Sequence, residues 1–207
     1  MTPGQVSVVT CVRDGAAYLA EALESAIAEQ PLELVVADDG STDDSAAIAE
    51  AAGARVLRLD AVGPTRARNA ALAAAQGELI ACIDHDDRWP AGRLSLMCGA
   101  LGDADGVFGS QRLFGEGVQP AILTGRHIGT LLLRRTALET VGPLDETLVG
   151  SGTVEWVARL SESLELSTVD EVVLERRVHG KNFSLSPDFG QDYVRAARAA
   201  LLRRRGA

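Results

Sequence analysis

The sequence predicts an α/β fold with a mostly parallel central sheet flanked by helices, and three observations carry that reading. Short β-branched and aliphatic runs alternate with amphipathic stretches over roughly the first 90 residues. Each run ends in a polar or glycine-containing turn. The runs also lack the in-out polar alternation of a half-exposed sheet, as expected of parallel strands covered on both faces.

The first run, Val6 to Val12, is broken by Arg13-Asp14-Gly15. From Ala17 to Glu29, the residues Leu19, Leu23, Ala26 and Ile27 recur at helical spacing and predict a helix that buries that stripe. Leu32 to Ala37 is the second strand. Asp38-Asp39-Gly40-Ser41-Thr42-Asp43 is a turn in which Ser41 or Thr42 would cap a helix from Asp44 to Ala52. Arg55 to Leu59 follows as a strand, Pro64 to Ala75 as a helix closed by Gly77, and Leu79 to Ile83 as a strand running into Asp84. Beyond Arg93 the pattern weakens. A helix to Leu101, a strand around Val107 and Phe108, a loop with Gly115 and Gly117, a strand from Gly129 to Leu133, and helices over Arg134 to Val141 and Thr153 to Glu162 complete the expectation. With no linker, low-complexity tract or repeat, residues 1–207 read as one domain.

Composition narrows the class. Twenty Lys and Arg against 29 Asp and Glu give a net charge of 20 − 29 = −9, which argues against nucleic acid as a partner, because that affinity comes from neutralising phosphates. A chain of this size buries roughly 70% of its unfolded surface without disulfides. Cys11, Cys82 and Cys98 are widely spaced and read as reduced, packed thiols of a cytoplasmic protein. No apolar run reaches the roughly 18 residues of a membrane span, and Met1 to Gln5 lacks the basic region of a secretory signal. The segment from Arg195 to Arg205 reads as a basic amphipathic helix, either solvated or making a peripheral contact with anionic lipid or an acidic partner.

In open α/β sheets, ligands bind outside the carboxyl ends of the strands. Two acidic turns fall there. In the first, Asp38 or Asp39 can accept a hydrogen bond from a base edge or a ribose hydroxyl, although a turn-and-cap role fits the same residues. In the second, Asp84-His85-Asp86-Asp87 sets three carboxylates within four residues, which repel unless a cation or ligand hydroxyls relieve them. Oxygen ligation of this kind suits Mg²⁺ or Mn²⁺ bridging a diphosphate. Between the turns, Gly63 to Asn69 opens a helix whose N-terminus favours anions, with Arg66 or Arg68 placed to face a nucleotide.

These segments, read in order as VSVVTCVRDGAAYLAEALESAI, LVVADDGSTDDS and GPTRARNAALAAAQGELIACIDHDD, resemble the family 2 glycosyltransferases of the GT-A fold over roughly residues 5 to 100. HIGTLLLRRTALETVGPLDETL and RRVHGKNFS resemble the acceptor-side half of the same family. The resemblance implies a nucleotide-sugar-binding half over 1–100 and an acceptor half over 101–207. It implies transfer of a sugar, with inversion, from a nucleoside diphosphate sugar such as a UDP-sugar to an acceptor of unknown class: glycan, lipid-linked, peptide or small molecule. Position by position, Cys11 and Arg13 fall beside the nucleotide, and Asp38 matches the base-reading Asp with Asp39 near the ribose. Arg68 lies near base and phosphates, Asp84 and Asp86 match the metal motif with Asp86 the direct ligand, and His179 aligns with a histidine that reaches the metal or diphosphate. The family's acidic pair before a Trp-containing helix is replaced here by Gly152-Thr153. Glu155 is the nearest candidate for the general base, and it fits equally a first-turn helix residue with Thr153 as cap. A catalytically impaired GT-A-like nucleotide-binding or scaffold protein is therefore the alternative.

Overall fold

Eight strands form one mixed sheet in the computed structural model, which describes residues 1–148, 150–180, 182 and 194–195. Strands β1 (Val6–Val12), β2 (Glu33–Asp38), β3 (Arg55–Arg58) and β4 (Leu79–Cys82) are mutually parallel, in the order β3-β2-β1-β4. Helices α1 (Ala16–Ile27), α2 (Ser45–Ala51) and α3 (Pro64–Ala74) alternate with them as the sequence predicts. The second half departs from a parallel sheet. After α4 (Arg93–Leu101), the strands β5 (Gly106–Phe114), β6 (Ile122–Leu123) and β7 (Leu131–Arg134) continue the sheet as β4-β7-β5-β6 with antiparallel pairings. Helices α5 (Arg135–Val141) and α6 (Gly152–Ser163) precede β8 (Leu166–Arg177), which runs parallel to β5.

The pleat sends alternate residues to opposite faces, and each face has its own core. Val6, Val8, Val36, Leu79 and Ala81 meet Leu19 and Leu23 of α1 and Leu94 and Met97 of α4. Val9, Val35, Ile80 and Leu133 meet Ala67 and Leu72 of α3 and Trp156 and Leu160 of α6. Each fully buried Leu contributes about 2 kcal/mol, so Leu19 and Leu23, with Ala22 and Ala26, hold α1 on the sheet, whereas Ile27 of the predicted stripe is exposed at the end of the helix. Helix starts are satisfied from neighbouring segments. Asp43 Oδ2 accepts from Ala16 N at 3.0 Å, and Ser45 Oγ accepts from Gly15 N at 2.9 Å, at the start of α1. Glu29 bonds the amides of Gly92 and Leu94, at 2.7 and 2.8 Å, at the start of α4. Such bonds answer the open amides of a first turn.

Three expectations are corrected. The cap residue of α2 is Asp44, because Ser41 and Thr42 are turned toward Asp14: Ser41 Oγ accepts from Asp14 N at 3.0 Å, and Thr42 N donates to Asp14 Oδ1 at 2.7 Å. Helix α6 begins one residue earlier than predicted, with Ser151 rather than Thr153 at its cap position. Gly77 does not close α3 in a left-handed conformation, since the helix already leaves through an extended Ala75. Its role is close approach. A Cβ there would lie 2.5 Å from Gln5 O and 2.6 Å from Ser7 N, both backbone atoms. Gly77→Ala is therefore expected to cost about 1–3 kcal/mol by forcing β1 and the 75–78 loop apart, read as a lowered urea midpoint.

Strand β8 has no counterpart in the sequence reading. It lies on the far side of β5, only Val173 and Leu174 are buried along it, and its pairing is interrupted by register shifts between Phe108 and Ser110 and between Ser110 and Gln111. A strand half in water with a broken register carries no clean period of two. Of the predicted basic helix from Arg195 to Arg205, only Arg195 belongs to the described residues, and Arg198, Arg203, Arg204 and Arg205 lie outside them. Among the described residues, no helix is long and apolar enough to cross a membrane.

Candidate active site

The chain passes outward from β1 through β2 to β3, then crosses back to β4 on the other side of β1. The loops after β1 and β4 diverge at that point, which opens a crevice at the carboxyl ends of the strands. Arg68 reaches under it from α3. Its Nη2 donates to Asp84 Oδ1 at 2.7 Å and contacts Cys11 Sγ at 3.3 Å, so three of the predicted residues meet. Burial works to raise the Asp84 carboxyl, but the Arg68 guanidinium overrides it and holds the group well below the usual carboxylate range. Burial likewise opposes the Arg68 charge, and Cys11 and Asp84 outweigh it, leaving Arg68 a firm cation. Cys11 contributes its sulfur to this floor, whereas Arg13 is exposed beyond the end of β1.

The first acidic turn is an internal clasp. Both oxygens of Asp39 accept backbone amides, from Val62 at 2.6 Å and Gly63 at 2.9 Å, which fixes the entry to α3. Asp38 Oδ1 accepts from Ser41 N at 3.2 Å and shapes the turn at the end of β2. Arg66, unlike Arg68, lies outside the floor in an ion pair with Glu146 at 3.2 Å.

At the second turn, Asp86 and His179, each expected beside the metal, come together: His179 Nε2 lies 3.0 Å from Asp86 Oδ2. Asn182 Nδ2 donates to the same oxygen at 3.0 Å. An oxygen and a nitrogen about 3 Å apart match adjacent ligand positions of an octahedral ion with bonds of about 2.1 Å. Oxygen with imidazole nitrogen suits Mn²⁺ at least as well as Mg²⁺. Among the described residues, no three His, Cys, Asp or Glu converge as a ligand set. The pair would therefore supply one edge, with the other positions left to phosphate and water, which is how such ions are commonly held.

Asp87 of the same turn and His127 also belong to this neighbourhood. Asp87 is buried, and its Oδ1 accepts from Arg177 N at 2.8 Å. Burial first, and then the Asp84 and Asp86 carboxylates, push its carboxyl up to about 8. A carboxyl raised in the fold binds a proton that the unfolded chain releases near pH 4, so stability falls as pH rises from about 4 through about 8. Asp87→Asn keeps an acceptor for the Arg177 amide without the charge. In metal-free protein, it is expected to raise the melting temperature more at about pH 8 than at about pH 5. His127 is held low, at about 4, by burial together with Arg176, Arg68 and Arg93, against the pull of Asp84. Its Nδ1 accepts from Gly129 N at 3.1 Å, so in its neutral form the proton sits on Nε2.

Glu155 stands in the first turn of α6, one of the two places the sequence leaves open to it. It is buried, and Arg159 Nε lies 3.1 and 3.0 Å from its two oxygens, while the same arginine donates to the carbonyls of Val141 and Pro143 at 2.7 and 2.6 Å. The pair ties α6 to the loop after α5. Trp156 is buried with its Nε1 donating to Gly142 O at 2.9 Å, so it serves the core. At Gly152, where the family pattern has an acid, a Cβ would lie 2.9 Å from Thr65 Cγ2. Thr65 Oγ1 in turn bonds Leu148 O at 2.5 Å.

A sheet of this order, with the Arg68–Asp84 pair and an acidic turn faced by a histidine at the carboxyl ends of its strands, has the GT-A architecture. The family model of Glycosyl transferase family 2 matches residues 7–159, and the chain belongs to that family. It is 41% identical over 102 residues to the succinoglycan biosynthesis protein ExoU of Rhizobium meliloti, covering 46% of this chain and 30% of that protein. Among solved structures, TarS of S. aureus in complex with UDP-GlcNAc superposes with a TM-score of 0.77 at 20% identity, covering 95% of this chain and 66% of that one. The mannosyltransferase PcManGT of Pyrobaculum calidifontis, in complex with GDP-Man and Mn²⁺, superposes with a TM-score of 0.79 at 19% identity, covering 97% and 65%. The chain thus spans about a third of the length of the ExoU relative.

Proposed function

We propose that the chain binds a nucleoside diphosphate sugar, a UDP-sugar first among candidates, together with Mg²⁺ or Mn²⁺, and transfers the sugar with inversion to an acceptor. The observation that carries this reading is the Asp86–His179 edge beside the Arg68–Asp84 floor, at the crevice where the fold receives ligands. A divalent ion bound there would offset charge on the departing diphosphate. The chain's own residues supply the rest. Arg68 keeps Asp84 ionised, Asp39 holds the loop that would border the nucleotide, and His179 and Asn182 fix the orientation of Asp86. The complexes of TarS with UDP-GlcNAc and of PcManGT with GDP-Man and Mn²⁺ support the donor class.

The deciding experiment is calorimetric titration with UDP, GDP and dTDP, each with and without Mn²⁺, followed by a transfer assay with the matching sugars. Binding of one nucleotide that strengthens with Mn²⁺ is expected. No binding of any of them overturns the reading.

A specific observation favours a second reading, in which the chain binds the donor but does not transfer. Glu155 is held by Arg159, and Gly152-Thr153 offers no carboxylate to take the acceptor proton. We assign Glu155 to support of α6, so Glu155→Gln is expected to lower the melting temperature while leaving nucleotide affinity within about twofold. Nucleotide binding with no turnover on any donor would establish this second reading.

A further inference from the structure

Strand β8 ends against the 84–88 turn. Arg88 and Glu175 exchange backbone hydrogen bonds, at 3.0 and 2.9 Å. Two residues further on, Arg177 contacts several of the groups around Asp86. Its amide donates to Asp87 Oδ1 at 2.8 Å, and its Nε donates to the Asp86 carbonyl at 2.9 Å. Its guanidinium lies between two rings, 4.5 Å from the centroid of Phe114 and 4.7 Å from that of Tyr18, and its Nη2 pairs with Glu21. Tyr18 in turn stacks on the His179 imidazole, with centroids 5.0 Å apart and planes inclined by 30°. Phe114, Arg177, Tyr18 and His179 thus form a continuous stack whose last member faces Asp86.

We propose that Arg177 is a positioning residue: it fixes the peptide that carries Asp86 and, through Tyr18, the ring of His179, so that the oxygen and nitrogen of the pair meet on one side of the crevice. The inference rests on reading Asp86 and His179 as the metal-facing pair. Only an arginine meets the requirements. A planar guanidinium can lie against rings on both faces while donating in its plane from Nε and Nη2 in different directions, whereas the point charge of a lysine cannot. The backbone path past Arg177 is equally constrained. Val178 N donates to Phe114 O at 2.8 Å, and a Cβ on Gly115 would collide with Val178 O. The strand therefore delivers His179 to one place, and the Arg177 side chain sets the angle of the ring.

The test uses the full chain with Arg177→Lys, Tyr18→Leu, His179→Ala and the Arg177→Lys/His179→Ala double variant. Tyr18→Leu removes the stack without touching β8. In metal-free protein, the His179 ring-proton shifts are read by NMR. With saturating UDP or GDP, Mn²⁺ affinity is read by calorimetry, and imidazole nitrogen coupling to Mn²⁺ by pulsed EPR. Arg177→Lys is expected to move the His179 ring signals, weaken Mn²⁺ about tenfold, as loss of a group that orients a ligand does, and abolish the nitrogen coupling. No further loss is expected in the double variant, because both changes remove the same contact. Mn²⁺ affinity within twofold of wild type with the nitrogen coupling retained overturns the proposal, as do losses that simply add. Wild-type Mn²⁺ binding without nitrogen coupling overturns it while leaving donor binding standing, whereas failure of the wild type to bind any nucleotide with Mn²⁺ overturns both.

Discussion

Replacing Arg68 by methionine will destabilise the protein by about 3 kcal/mol, toward the low end of the range for breaking a buried ion pair. Arg68 is 9% exposed, and its Nη2 is 2.7 Å from Asp84 Oδ1. Methionine retains most of the volume but leaves the Asp84 carboxylate without its counter-charge. The Asp84 side chain is 30% exposed, so water and protonation will recover part of the loss. The pH dependence gives a second, sharper readout. With Arg68 present, the Asp84 carboxyl is depressed in the fold, so the stabilisation exists above the unfolded value near 4 and is lost as pH falls below it. In Arg68→Met, that slope on the acid side should flatten, and Asp84→Asn in the Arg68→Met background should return part of the stability at neutral pH. Urea melts at about pH 3, 5 and 7 check both. An Arg68→Met protein as stable as wild type would show that the floor of the crevice is not held by this pair.

What the sequence could and could not disclose follows from the range of the interactions involved. The β1 to β4 half is legible because each apolar run is short, doubly buried and punctuated, so local pattern and tertiary placement agree. Arg68 and Asp84 lie only 16 residues apart, on adjacent βα units, and both stand out as charges at the edge of buried segments. By contrast, Asp39 presents the same face to a sequence reader whether it binds a ribose or two backbone amides, and only the fold shows the amides of Val62 and Gly63 occupying it. The contact of Asp86 with His179 spans 93 residues, and no spacing rule connects them, so it was reachable only through family resemblance. Arg177 and Tyr18 fall inside two of the segments that carry the resemblance, but nothing in either segment links the one to the other. Their contact joins α1 to the end of β8 across 159 residues, which the alternation pattern cannot express.

Asp86→Ala should separate function from stability. If Asp86 is the direct carboxylate ligand, removing it should weaken Mn²⁺-dependent nucleotide binding by more than about a hundredfold, beyond the 10–100-fold seen when only an orienting partner of a ligand is lost. His179→Ala, which leaves the carboxylate in place, should cost less. In the metal-free protein the same substitution works the other way. Asp86 lies among acidic neighbours, and its charge is one of the causes that push the Asp87 carboxyl up to about 8. Removing that charge eases the repulsion on Asp87, although it also strands the hydrogen bonds from His179 and Asn182. The net expectation is a melting temperature close to or above wild type near pH 8, combined with loss of metal-dependent binding. A cluster of carboxylates that costs stability when empty is the pattern of groups retained for a cation rather than for the fold. An Asp86→Ala protein that is strongly destabilised and still binds nucleotide with Mn²⁺ at wild-type affinity would reverse that assignment, making the turn a structural knot and moving the metal elsewhere.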